Sequence, residues 1–179
     1  MNNATMETAV LGGGCFWCTE SVFSALRGVV RVTPGYCGGH VDNPSYEQVC
    51  GQGTGHIEVV RVEFDPAVID FATVLQVFFA THDPTTPDRQ GGDVGPQYAS
   101  AVFFQTPEQE QTARAVIRQV EQALGQPVVT RLLEAQHFWP AEDYHRDYYA
   151  RNPGQGYCQM VISPKMAKLR RHFAELLNR

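Results

Sequence analysis

The stretch HIEVVRVEF at 56–64 constrains the chain most, because its side chains alternate in a way that reads as the clearest strand in the sequence. Glu58, Val60, Val62 and Phe64 fall on one face, and Ile57, Val59, Arg61 and Glu63 on the other. An apolar strand face must be covered by a second layer, so a sheet packed by helices is expected. Glu58 is the odd member, an acid in phase with the apolar side.

Elements on either side fit that plan. ETAVLG (7–12) reads as a short strand, and the glycines after it lead into a helix predicted from about Cys15 to Arg27, stopped by Gly28. VVRVT (29–33) is a second strand, followed by the loop PGYCGGHVDNPS. Asp70 can cap a helix over FATVLQVFFA, and a 16-residue stretch from His82 to Gln97 makes another long loop. YASAVFFQ (98–105) is a strand, after which Thr106, Pro107 and Gln109 open a capping-box helix that ends near Gly125. PVVTRLLEA is a fifth candidate strand, Pro140 opens a helix over AEDYHRDYYA, and Ser163 and Pro164 start the last helix beyond the loop RNPGQGYCQ. No repeat or linker interrupts the 179 residues, so one domain over 1–179 is expected. The fold class is α+β (or α/β): a two-layer sandwich with a central mixed or antiparallel sheet and flanking helices.

Composition narrows the partners. Hydrophobic residues at 43% and charged residues at 18% can build an ordinary core, and a net charge of −5 argues against nucleic acid or an anionic membrane. No apolar run approaches the roughly 18 residues of a membrane span, and MNNATMETAV has neither a basic nor an apolar leader region, so a cytoplasmic protein is expected. Five cysteines at irregular spacing, in a reducing compartment, read as free, catalytic or metal-bound thiols.

GGGCFWCTE (12–20) concentrates the chemistry. A helix N-terminus stabilises an anion and can lower a thiol pKa from about 8.5 to roughly 3.5–7.5, which would make Cys15 a nucleophile. A lone cysteine is more often a small buried residue, but three preceding glycines allow a ligand close to the backbone. Phe16 and Trp17 are either core or the wall of an apolar pocket suited to a methyl group or a sulfur. Cys18 completes C-x-x-C, which reads as a redox dithiol, half of a zinc site or coincidence. Zinc wants four ligands, and Cys37 and Cys50 stand singly with no second pair, leaving only a spatial assembly with His40 or His56. Glu58, if buried among Val60, Val62 and Phe64, should keep its proton towards neutral pH and act as an acid; at the strand end it would simply reach water. Tyr36 and Tyr98 stand beside glycine-rich loops, where a phenol can point into a cleft or pack with its hydroxyl satisfied.

Five blocks in order, GCFW, GYCGG, TGHIEVVRVEFDP, DVGPQYAS and AEDYHRDYYARNP, resemble the A-type methionine-S-sulfoxide reductases over most of the chain. The resemblance implies an α+β sandwich with a ferredoxin-like core. It also implies Cys15 as nucleophile, Glu58 as acid, Tyr36 and Tyr98 as ligands of the sulfoxide oxygen, Phe16 and Trp17 around the substrate methyl, and Asp93 organising the pocket. Attack by Cys15 would leave a sulfenic acid, which a second thiol condenses to a disulfide. Cys158 resembles the family's C-terminal resolving cysteine, with Cys18 a relay thiol or a bystander. The implied reductant is an external dithiol, thioredoxin, with no metal or organic cofactor; the substrate is methionine sulfoxide, free or in oxidised proteins, and a monomer is expected. Two departures stand out: Cys18 where the family more often has glycine, and Ala99 where arginine is more usual. Cys37 and Cys50 receive no role, His82, Asp83 and His145 read as pocket edge or surface, and Glu142 reads as shaping the substrate site or, more simply, as an exposed first-turn acid. A thioredoxin-like exchange enzyme using Cys15 and Cys18, and a zinc-stabilised binding module, are the competing readings.

Overall fold

The computed structural model describes residues 5–178; residues 1–4 of the start read above, and Arg179, lie outside them. In chain order the elements are β1 (Glu7–Gly13), α1 (Phe16–Ser24), β2 (Val29–Cys37), α2 (Tyr46–Cys50), β3 (Ile57–Phe64), α3 (Phe71–Ala80), β4 (Arg89–Gln90), β5 (Asp93–Val94), β6 (Ser100–Phe104), α4 (Pro107–Leu124), β7 (Arg131–Glu134), β8 (Trp139–Pro140), α5 (Tyr148–Arg151) and α6 (Ser163–His172). Six strands form one mixed sheet in the order β7-β6-β1-β3-β2-β8, and β4 pairs with β5 separately. Its centre, β6-β1-β3-β2, is antiparallel and wound as β1-α1-β2-β3-α3-β6, the split βαβ arrangement of ferredoxin-like folds. β7 makes the sheet mixed by running parallel to β6.

The sheet sorts its faces as the alternation of β3 requires. Ala9, Leu11, Val60, Val62 and Phe64 join one cluster with Phe23, Val74, Phe78, Ala113 and Leu169 from α1, α3, α4 and α6. The other face carries a smaller cluster of Val10, Ile57, Val59, Ala101 and Phe103, against which Phe138 packs. Each fully buried aromatic in these clusters contributes roughly 1.5–3 kcal/mol of transfer free energy. Glu58 points to the helical side, only 1% exposed.

The capped starts form where the sequence places them. Asp70 accepts the Thr73 N–H at 2.8 Å, Thr106 accepts that of Gln109 at 3.1 Å, and Gly125 closes α4 in the left-handed conformation. Other boundaries move. α1 stops at Ser24 instead of Arg27, because Leu26 bridges to Leu177 and the Arg27 N–H is taken by the Leu176 carbonyl at 2.7 Å. β2 continues through Pro34, Gly35 and Tyr36, which read as loop: a Cβ at Gly35 would strike the Phe138 ring and the Trp139 carbonyl, so glycine lets β8 pair here. The helix expected over 141–150 is broken into a 3₁₀ turn, Asp143–His145, and the short α5. The glycine-flanked loop expected around Cys158 is a π-helical turn, Cys158–Ile162, leading directly into α6.

Candidate active site

β1 ends and α1 begins at the centre of the site. Gly14 turns the chain with φ +94°, and a Cβ there would come within 2.6 Å of Gln90 Cγ, so this glycine makes room for the protein's own side chain. Cys15 is the N-cap of α1, with no side-chain cap bond of its own. The Phe16 N–H, first of the helix, donates instead to Glu58 Oε1 at 3.1 Å, while Glu58 Oε2 has no hydrogen-bond partner. Burial pushes the Glu58 carboxyl up to about 8, opposed by the Phe16 bond and assisted by the negative charge of Asp93. The acid is therefore mostly neutral at pH 7, as the strand phase implied.

The thiols depart from expectation. Cys15 is raised well above the ordinary thiol range, first by burial, then by its hydrogen bond with Cys18 and the charge of Glu58; the helix end, felt through the Trp17 N–H, is the smaller influence. Cys18 moves the other way, to about 7, because it accepts that bond from Cys15 and lies near Lys165. The two thiols titrate as a coupled pair in which Cys18 gives up its proton before Cys15 does. Both sulfurs line a cavity of about 680 Å³ with His82, Gln90, Asp93, Tyr157 and Lys165.

A cluster of aromatic rings packs around Phe16 and Trp17, and of these rings only that of Tyr157 also lines the cavity. Phe16 is buried against Tyr36, Tyr46 and His145, with centroids 5.6, 6.4 and 4.9 Å away. Trp17 is half-buried, stacked on Tyr148 at 3.8 Å and 6°, with the Tyr157 ring edge-on at 5.9 Å. Its indole N–H donates to His145 Nδ1 at 3.0 Å. Tyr36 donates its hydroxyl to Glu142 Oε1 at 2.9 Å, and the other oxygen of Glu142 accepts the Tyr46 N–H at 2.8 Å. Tyr98 is half-buried at the end of a 3₁₀ turn, its phenol raised first by burial and then by the charges of Glu58 and Cys15 nearby. Asp93 accepts the Tyr157 hydroxyl at 2.6 Å, and that hydroxyl lies 3.6 Å from Cys18 Sγ.

Cys15, Phe16, Trp17, Cys18, Tyr36, Glu58, Asp93 and Tyr98 are thus gathered in one place. Cys158 is apart from the cavity lining: its residue is 0% exposed in the core, and among the thiols only the charge of Cys18 is felt there. Cys37 lies on the other face of the sheet, its thiol raised to about 11 by burial, and Ala99 is buried in that same cluster. Cys50 stands near Tyr46, its thiol raised first by burial. Among the described residues no group of three or more His, Cys, Asp or Glu is placed to hold a metal ion. His82 is half-buried, bonded to the Phe78 carbonyl and Ser100, and desolvation of its ring brings its pKa down to about 4.

Sequence reasoning left His145 open between pocket edge and surface, preferred an exposed acid to a substrate-site role for Glu142, and passed over Tyr46, Tyr157 and Glu20. The buried carboxylate of Glu20, one turn after Phe16, accepts the Asp147 N–H with both oxygens at 3.1 and 3.0 Å. Asp147 is left-handed (φ 54°) and caps nothing with its own side chain, so Glu20 caps α5 from another helix and thereby holds Tyr148 on Trp17. The only signal in the sequence is an acid on the same helix as the aromatics.

A thiol beside a buried acid on a ferredoxin-like sheet has the layout of a thiol-dependent enzyme site. The family model described as peptide methionine sulfoxide reductase matches residues 7–177, and the chain belongs to that family. The chain is 61% identical to the peptide methionine sulfoxide reductase MsrA of Chromobacterium violaceum over 174 residues, 96% of this chain and 99% of that one. Among solved structures it resembles Mxr1 of Saccharomyces cerevisiae in reduced form (TM-score 0.80, 30% identity, 88% and 91% of the two chains). It resembles methionine sulfoxide reductase A of Corynebacterium diphtheriae equally (TM-score 0.80, 34% identity, 89% and 80%). Mxr1 has also been solved in complex with Trx2; that form matches in fold, with a TM-score of 0.57 at 20% identity over 82% and 87% of the chains. Among the described residues no helix is long and apolar enough to cross a membrane.

Proposed function

We propose that the chain reduces methionine-S-sulfoxide, free or in oxidised proteins, to methionine, with Cys15 as nucleophile and Glu58 as acid. The observation that carries this is the Glu58 carboxyl, 1% exposed, with a pKa of about 8 and one oxygen anchored on the first N–H of the helix that Cys15 caps. A sulfoxide sulfur resists attack until its oxygen is hydrogen-bonded or protonated, so an acid that remains neutral beside a thiol meets the need.

Cys15 passes its proton to Cys18 or to substrate oxygen and attacks the sulfoxide sulfur, while Glu58 protonates the oxygen. In net terms the sulfoxide gives its oxygen to Cys15, the thioether leaves, and Cys15 becomes a sulfenic acid. Tyr98 and Tyr36 bind the oxygen, Tyr36 turning its hydroxyl away from Glu142 to do so. Phe16 and Trp17 supply the apolar wall for the methyl group, steadied by Tyr148 and His145, and Asp93 organises the rim through Tyr157. A second thiol of the chain, Cys18 or Cys158, then condenses with the sulfenic acid and releases water. An external dithiol reduces the disulfide; the complex of the related Mxr1 with Trx2 supports thioredoxin in that role. The chemistry calls for no metal or organic cofactor, and the reading is of a monomeric cytoplasmic repair enzyme.

The test mixes fully reduced protein with excess methionine-S-sulfoxide and no reductant. About one methionine formed and two thiols lost per chain is expected, and none formed by Cys15→Ser. No methionine from wild type while its thiols remain alkylatable would overturn the assignment.

A further inference from the structure

We propose that Lys165 and Lys168 of α6 select oxidised methionines flanked by acidic residues, holding the flanking carboxylates along the wall of the cavity onto which Cys15 opens. The proposal rests on the reductase reading above and names the class of protein substrate that this site prefers.

The charge of this region runs against that of the chain. Within a net charge of −5, residues 148–174 contain Arg151, Lys165, Lys168, Arg170 and Arg171 and no Asp or Glu. All of these but Arg151 lie on α6, which is anchored in the core through Met166 and Leu169. Residues three apart share one side of a helix, so Lys165 and Lys168 are turned the same way. Both line the cavity of about 680 Å³ together with Cys15 and Cys18. Lys165 is half-buried there, and its positive charge is felt by the Cys18 thiol and the His82 ring.

No acid of the chain neutralises the two lysines. Among the described residues the salt bridges are Arg114 with Glu110 and Arg146 with Asp143. The acids that line the same cavity are engaged elsewhere. Asp83 Oδ1 accepts the Thr85 N–H at 2.9 Å and the Thr85 hydroxyl at 2.5 Å, and Asp93 Oδ2 accepts the Tyr157 hydroxyl at 2.6 Å. Carboxylates carried in by a substrate therefore meet two ammonium groups free to pair with them.

The cavity also has the room. Sites of about 300–1,000 Å³ enclose drug-sized ligands, so a space of about 680 Å³ takes more than the one side chain that must reach Cys15. With the sulfoxide at Cys15, the residues on either side of it lie along α6. Met160 stands on the same wall and, at 81%, is the most exposed large apolar side chain among the described residues. A flexible thioether adapts to many peptide surfaces, which leaves charge to supply the preference.

The test uses capped peptides with two Glu, two Gln or two Lys on each side of a methionine-S-sulfoxide. Reduced protein is mixed with each, without reductant, and the second-order rate of first-turnover thioether formation is measured at about 0.01 M and about 1 M salt, where the Debye length is about 30 and 3 Å. Wild type should reduce the Glu peptide about 3- to 10-fold faster than the Lys peptide at low salt, with Gln between. The ratio should approach one at high salt. Lys165→Gln with Lys168→Gln should bring it near one at low salt, and Lys165→Glu with Lys168→Glu should reverse it. Each ratio compares one protein with itself, so a general loss of activity cancels. Equal rates for the three peptides with wild type would overturn the proposal, as would a Glu preference kept in the doubly substituted proteins. A salt effect confined to turnover with thioredoxin would assign the lysines to the reductant and overturn it as well. Failure of wild type to reduce any of the peptides, or methionine-S-sulfoxide itself, would instead overturn the reductase reading beneath it.

Discussion

Replacing Glu58 by Gln should make the protein more stable and less active at once, with a pH dependence that follows from burial. The ordinary carboxyl value is 4.5, and Glu58 stands at about 8. Below pH 4.5 the group is protonated whether the chain is folded or not. Between 4.5 and about 8 the unfolded chain releases the proton and the folded chain keeps it, so folding takes up a proton and stability falls as pH rises. Above about 8 both forms are ionised and the penalty is constant. At 1.36 kcal/mol per pKa unit the full penalty is of order 5 kcal/mol, an upper bound that side-chain relaxation reduces. Gln has no ionised form to penalise. Its carbonyl can still accept the Phe16 N–H, and its amide takes the place of Oε2, which has no partner in either case. Urea unfolding of both proteins at pH 5 and pH 8.5 measures this. Midpoints should be similar at pH 5, and Glu58→Gln should be the more stable by a few kcal/mol at pH 8.5. First-turnover methionine formation should fall by about 10²–10⁴, the usual worth of a positioned acid. A variant destabilised equally at both pH values would refute the burial argument, and one with wild-type first turnover would refute the acid.

Glu20→Gln exchanges one acceptor of the Asp147 N–H for a donor, so α5 loses part of its cap at a cost of about 1 kcal/mol. The Trp17 emission, read in a Trp139→Phe background, should shift as Tyr148 loosens, and KM should rise more than kcat falls; unchanged emission and KM would remove Glu20 as the positioning residue. Asp70→Ala should cost about 1 kcal/mol at neutral pH through loss of the α3 cap. Because the Thr73 bonds hold Asp70 below its ordinary 3.8, that contribution is present above 3.8 and fades as pH falls through the lowered value. The unfolding midpoints of the two proteins should therefore converge in acid, and a constant gap down to pH 2 would contradict it.

Much of the molecule was legible in one dimension. Alternation in 56–64 identified β3 and placed Glu58 on the helical side, since a strand has only two faces and one must be covered. Asp70, Thr106 and Gly125 marked helix ends because caps are satisfied within a few residues of chain. The five blocks carried the family, which the match over residues 7–177 bears out.

Where long-range contacts compete with local preference, the sequence was silent or misleading. Residues 141–150 hold a helical pattern, yet His145 is drawn to the Trp17 indole and Asp147 to Glu20, and those bonds across the fold outweigh a continued helix. Pro34 and Gly35 read as loop until Phe138 and β8 arrive to pair with them. The thiols are the sharpest instance. A helix N-terminus acts within one turn and is visible in the sequence, so a low Cys15 pKa was the natural expectation. Burial, the coupling to Cys18 and the facing Glu58 are set by what the whole chain packs around α1, and they reverse it. Residue order determined which groups are available and which strand and helix faces they occupy; only tertiary packing, which removes water and brings charges together, decided where each proton sits.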